Sequence, residues 1–101
     1  MGRLDHLLSL AVGLPRWHVY AITGADNVPV YVGSSQYPER RFYGHSQAEH
    51  NLGLRAWMAS TLHRMEILDS FHTKREMLDA EKEYISYIKP VHNLDWTDQF
   101  V

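Results

Sequence analysis

Glu81 is the residue whose position most needs a chemical explanation. On a helical wheel with Met77 at the origin and about 100° per residue, Tyr84, Ile88, Ile85 and Leu78 form an apolar stripe. Glu81 falls about 40° from Met77, in the middle of that stripe, whereas Asp79 and Glu83 fall at about 200° and 240°, where acids meet water. A carboxylate drawn out of water without a partner is costly, so Glu81 is expected to face a cation, a metal or a set of donors. The plain alternative is an ion pair with a nearby Arg, or a place at the wet edge of the stripe.

A second group lies upstream. Trp17 to Thr23 and Val28 to Gly33 are two β-prone runs around Gly24-Ala25-Asp26-Asn27, which reads as a hairpin. With the turn centred on Asp26-Asn27 and Ala25 facing Val28, Tyr20 and Tyr31 become diagonal neighbours on one sheet face. A one-residue slip would send them to opposite faces. Pro38 suits the first turn of a helix, which sets Tyr37, Arg41 and His45 along one side. Taken alone, the tyrosines are ordinary strand packing, and Arg40, beside Arg41, is the solvated arginine of the two. His45, His50, His63, His72 and His92 raise the question of zinc, but no His-Glu-x-x-His pair occurs and scattered histidines are usually surface residues. Ser34 and Ser35 follow Gly33 without the Gly-x-Ser-x-Gly elbow of a serine nucleophile.

The elements that must position these residues follow from periodicity and punctuation. Leu4, Leu7, Leu8, Ala11 and Val12 predict a helix over 3–12, stopped by Gly13 and Pro15. One Arg and no Lys make it a cover for a sheet face, not a membrane-surface helix. Leu52, Leu54, Trp57, Met58 and Leu62 predict a helix over 51–62, and Met65, Ile67 and Leu68 a third strand over 63–71. Thr73-Lys74-Arg75-Glu76 is a capping box that opens a helix running to about Lys89, stopped by Pro90. The order implies an α/β domain of the α+β type, a small three-stranded antiparallel sheet flanked by helices, with an extra amino-terminal helix. A single domain over 1–101 is expected, with an extension at 1–15 and a core at 17–94.

Composition narrows the function classes. A chain of 101 residues with 45% hydrophobic and 22% charged side chains suits one globular domain and excludes low-complexity disorder. The apolar-rich stretch from Leu7 to Leu14 is broken by Ser9 and Gly13 and is far short of the ~20 residues a spanning helix needs. Asp5 and His6 stand where a secretory leader would be basic, so an intracellular, cytoplasmic setting is expected. With no cysteine, disulfides, thiolate zinc sites and cysteine nucleophiles are ruled out. The net charge of −2 argues against a strongly basic nucleic-acid surface. Its distribution tempers that argument: residues 16–75 carry a balance of +2 and residues 76–101 a balance of −4.

The ordered set resembles the GIY-YIG nuclease superfamily. His18-Val19-Tyr20 is followed after ten residues by Tyr31-Val32-Gly33; Arg41 lies ten residues beyond Tyr31, and His45 four beyond Arg41. Glu81 sits inside the long helix, and Ile85, Pro90 and Asn93 follow at spacings similar to those of the family's repair-type members. Each motif alone is weak; five in order are specific. The resemblance spans about residues 17–94. His18 in place of the first Gly and Val32 in place of Ile are departures that do not touch the chemistry.

This resemblance implies the same small antiparallel sheet with flanking helices, and divalent-metal-dependent endonucleolytic hydrolysis of DNA phosphodiesters. By it Glu81 is the metal ligand for Mg²⁺ or Mn²⁺, and Arg41 holds the scissile phosphate. Tyr20 and Tyr31 position the attacking water, one of them as general base. An unassisted phenol, with a pKa near ~10, is a poor base at neutral pH and needs help from metal or Arg41. His45 assists proton transfer or holds a phosphate oxygen, and Gly33 and Asn93 support the site. Intrinsic sequence preference is expected to be weak, with nicked, flap or branched DNA as candidate substrates and targeting left to a partner protein or to self-association. No membrane partner is expected, and a setting of bacterial or phage type is the expectation. The alternative is a catalytically weak nucleic-acid- or protein-binding module on the same scaffold, which the acidic net charge favours.

Overall fold

Residues 13–47 and 51–93 are described by the computed structural model. The elements run β1 (Trp17–Gly24), β2 (Pro29–Ser35), α1 (Pro38–His45), α2 (Leu52–Ser60), β3 (His63–Phe71) and α3 (Lys74–Ile88). The helix expected over 3–12 lies outside the described residues. The three strands form one antiparallel sheet in the order β2-β1-β3. β1 takes the centre because Val19, Tyr20, Ala21 and Ile22 are apolar on both sides of the pleat, and all four are fully buried. One face, with Val19, Ala21 and Val32, packs against Met77 and Ile85 of α3. The other, with Tyr20, Ile22 and Val30, packs against Leu54 and Met58 of α2 and Phe42 of α1.

The hairpin departs from the expected turn in a way that matters for the site. Asn27 donates to the Gly24 carbonyl at 3.0 Å and Gly24 to the Val28 carbonyl at 3.4 Å, so the loop holds three residues, not two. Asn27 takes the left-handed conformation (φ 64°) that Asn tolerates and that closes such loops. Continued unchanged, this pairing would set Tyr31 opposite Ala21, away from Tyr20. A bulge at Val30 prevents it: the register steps from Thr23 opposite Pro29 to Ile22 opposite Tyr31 and Tyr20 opposite Gly33. Both phenols therefore share the α1/α2 face, as expected, through a bulge that the sequence did not announce.

α2 is shorter than the periodicity implied. Asn51 caps it, its Oδ1 accepting from the Leu54 N–H at 3.2 Å. Only Leu54 and Met58 of its apolar set are buried; Leu52 is exposed, and Leu62, beyond the helix end, is 81% exposed, so neither belongs to the core. α3 opens as expected: Thr73 Oγ1 accepts from the Glu76 N–H at 3.2 Å and donates to the Glu76 carboxylate at 2.9 Å. It ends on Lys89 in the left-handed conformation (φ 53°), and Pro90 prevents continuation.

The segment after α3 straps back onto β2. His92 N–H donates to the Val30 carbonyl at 2.8 Å. Asn93 brackets Val32, accepting from its N–H at 2.7 Å and donating to its carbonyl at 2.8 Å. Asn51 Nδ2 in turn donates to the His92 carbonyl at 2.9 Å. Tyr31 thus lies between two residues whose backbone is tied to the end of the Glu81 helix.

Candidate active site

Gly33 explains how two phenols approach one backbone. A methyl group added at this position would lie 2.6 Å from Tyr20 Oη, 2.7 Å from its Cζ and 2.9 Å from Tyr31 Cε2. Any side chain there would displace both rings. The rings are tilted at 41° with centroids 6.3 Å apart, and Tyr31 meets the His45 ring edge-on at 4.5 Å.

The two tyrosines occupy unlike environments. Tyr20 is 0% exposed and its Oη lies 2.7 Å from Nε2 of His45, which is itself only 3% exposed. Burial pushes the Tyr20 phenol well above its ordinary value, and the nearby Tyr31 adds to the rise. Arg41 opposes it and Glu81 reinforces it, so both charges lie close enough for their fields to reach this oxygen. Tyr31 is half-buried and lines an open cleft of about 450 Å³.

That cleft gathers residues from separate elements. Tyr31, Ser34 and Ser35 come from β2, Tyr37 and Arg41 from the start of α1, and Lys74, Met77, Leu78 and Glu81 from α3, with Trp17 and Gln36 completing the wall. The packing of Met77 and Ile85 on the sheet turns Glu81 toward the β2 edge, half-buried beside Tyr31 and Arg41. Arg41 is exposed and Tyr20 is absent from the lining. The structure therefore brings Tyr31, Arg41 and Glu81 together at the cleft, sets Tyr20 and His45 behind them, and leaves Gly33 and Asn93 as supports. His45 is buried, with Nε2 2.7 Å from Tyr20 Oη. Sequence reasoning did not single out Lys74 or Asn51, although Lys74 opens the capped helix and Asn51 immediately precedes α2, both readable positions.

Among the described residues, no group of three or more His, Asp or Glu side chains is gathered to hold a metal ion. A single carboxylate on a polar cleft wall fits Mg²⁺, which keeps several waters and accepts one or two carboxylates together with substrate phosphate oxygens. Glu81 is the acid that lines the cleft.

A family model described as the GIY-YIG catalytic domain matches residues 16–94. No curated protein and no solved structure matches the chain.

Proposed function

The chain belongs to the GIY-YIG catalytic-domain family, and from that premise we propose that it is a divalent-metal-dependent DNA endonuclease with weak intrinsic sequence specificity. The observation that carries this reading is the convergence of Tyr31, Arg41 and Glu81 on one cleft, with Tyr20 and His45 hydrogen-bonded directly behind it. Arg41 offers a guanidinium fork to the scissile phosphate and stabilises the charge that grows on its oxygens. Tyr31, on the cleft wall, orients the attacking water and, as its phenolate, takes a proton from it as the new P–O bond forms, while the bond to the leaving oxygen breaks and that oxygen takes a proton from solvent. Arg41 and Lys74 in the same cleft favour negative charge there.

Tyr20 remains a neutral phenol, because burial holds its proton in place. Its role is to fix His45 and Tyr31. Glu81 would hold Mg²⁺ or Mn²⁺, which supplies charge neutralisation at the phosphate and leaving oxygen. No described helix is long and apolar enough to cross a membrane. A cytoplasmic setting of bacterial or phage type, and a targeting partner or self-association, belong to the same proposal. A domain of this size has little surface for base-edge readout.

Cleavage of plasmid and of nicked, flap and branched DNA with Mg²⁺ or Mn²⁺ tests the reading. Glu81→Gln and Arg41→Ala should each lower the rate by about 100-fold or more. Parental rates in both variants would overturn it. The net charge of −2 favours a second reading, a catalytically weak binding module. It expects DNA retention that is indifferent to Mg²⁺ and to Glu81→Gln.

A further inference from the structure

The cleft wall carries two aromatic side chains that phosphate chemistry does not use. Tyr37 caps α1 and lies one helical turn, about 6 Å, before Arg41. Its ring is 57% exposed, and the Arg40 guanidinium lies over it at 5.0 Å from the ring centre. Its backbone is fixed on both sides: its N–H donates to Ser35 Oγ at 2.9 Å, and its carbonyl accepts from the Arg41 N–H at 3.1 Å. Trp17 is half-buried and packs partly on the core cluster under α3, yet lines the same cleft.

An intact duplex buries its bases in the stack and presents phosphates at its surface. An aromatic platform one turn from the phosphate-binding arginine is of use only to a base that has left the stack. The cleft, at about 450 Å³, has the size of a pocket for one small organic group. Resting on the nuclease reading, we propose that the substrate strand brings an unpaired nucleobase beside the scissile phosphate, and that it stacks on Tyr37 with Trp17 as the second wall. Arg40 steadies the ring by a cation–π contact. Stacking of this kind is indifferent to base identity, since every base has a π-face. The substrate class is thereby DNA with an unpaired nucleotide at the cleavage point, recognised without sequence readout.

Fluorescence anisotropy of labelled DNA, with the full chain and no divalent metal, separates binding from cutting. A duplex with one unpaired nucleotide should bind about tenfold more tightly than the fully paired duplex. Tyr37→Ala should bring the ratio of the two affinities close to one, and Tyr37→Phe, which keeps the ring, should preserve it. Equal affinities in the parent, or a ratio unchanged in Tyr37→Ala, would overturn the proposal. A Tyr37-dependent ratio in a protein that cuts no DNA with Mg²⁺ or Mn²⁺ would uphold the stacking site and remove the hydrolase reading. Cleavage without any such ratio would remove the stacking site alone.

Discussion

The two faces of the sheet are built on opposite terms. Under α3, Val19, Ala21, Val32, Met77 and Ile85 form an apolar cluster. Under α1 and α2, Tyr20, Ile22, Val30, Leu54 and Met58 share their layer with Tyr31 and reach the buried His45 through a 2.7 Å hydrogen bond. The first face has one task, to hold the Glu81 helix at a fixed height above the β2 edge. The second must also keep a phenol and an imidazole paired out of water, which close packing alone cannot do. Stability and chemistry are thus carried mainly by different layers, and the cleft opens where both meet at β2.

The sharpest way to break this contrast is to damage each face separately. Ile85→Ala should lower the unfolding free energy by about 2–5 kcal/mol in urea titrations, by transfer and cavity costs. Cleavage per folded molecule should stay near the parental rate. Gly33→Ala should do the reverse. The new methyl group meets Tyr20 Oη at 2.6 Å and must move it. Overpacking of this size costs about 1–3 kcal/mol, but the displaced phenols should lower cleavage by about 100-fold, as misplacement near 1 Å does. If both variants lost activity only in proportion to unfolding, the division of labour would be an illusion.

How much of this was written in the chain depends on the range of the interaction. β3 matched its apolar run from His63 to Phe71, and α3 its capping box and Pro90 stop, because strand and helix signals are local. The placement of Glu81 followed from helical periodicity, a local signal as well. The helix expected over 51–62 is shorter, Leu52–Ser60, and Leu52 and Leu62 of its apolar set stay exposed, because a nine-residue helix rests on the sheet through little more than one turn. The bulge at Val30 has no sequence mark, and the expected register was reached by a two-residue turn that does not exist. His45 was placed beside Arg41, but its burial depends on Tyr20 across 25 residues of chain. The strap through Asn51 and His92 joins positions 41 residues apart, where single-sequence patterns are silent, and Asn93, 61 residues from Val32, is reached as a support only through the family resemblance.

That strap offers a finer test, because it touches the site only through β2. Asn51→Asp retains an oxygen acceptor for the Leu54 N–H, and Asp is as good a helix cap as Asn. It replaces the Nδ2 donor with a second oxygen facing the His92 carbonyl. Stability should fall by about 1–3 kcal/mol, the cost of a buried acceptor left facing another acceptor. Tyr31, between Val30 and Val32, should lose its fixed height relative to Glu81. The expected signature is a lower kcat with KM little changed, since Arg41 and the cleft floor remain in place. A rise in KM at constant kcat would place the effect on substrate binding instead and detach the strap from the chemistry.

The smallest effect is set by protons. Tyr20 keeps its proton in the fold above the ordinary phenol value of 10.0, chiefly through burial. The unfolded chain releases it there, so the unfolded state binds fewer protons and stability falls as pH rises past 10.0. Below that value the contribution is fully present and flat. Tyr84, at the rim of the α3 face, is raised too, by desolvation and then by Asp69, and bends the curve in the same direction. Urea titrations at pH 8 and above pH 10 should therefore show a decline in the parent that is shallower in Tyr20→Phe, the remaining slope including that of Tyr84. The level in that variant also drops at every pH, because His45 Nε2 loses its partner; the change of slope isolates the buried proton. An identical slope in parent and variant would mean that the phenol is wetter than its packing implies, and the polar layer would then owe its order to something other than exclusion of water.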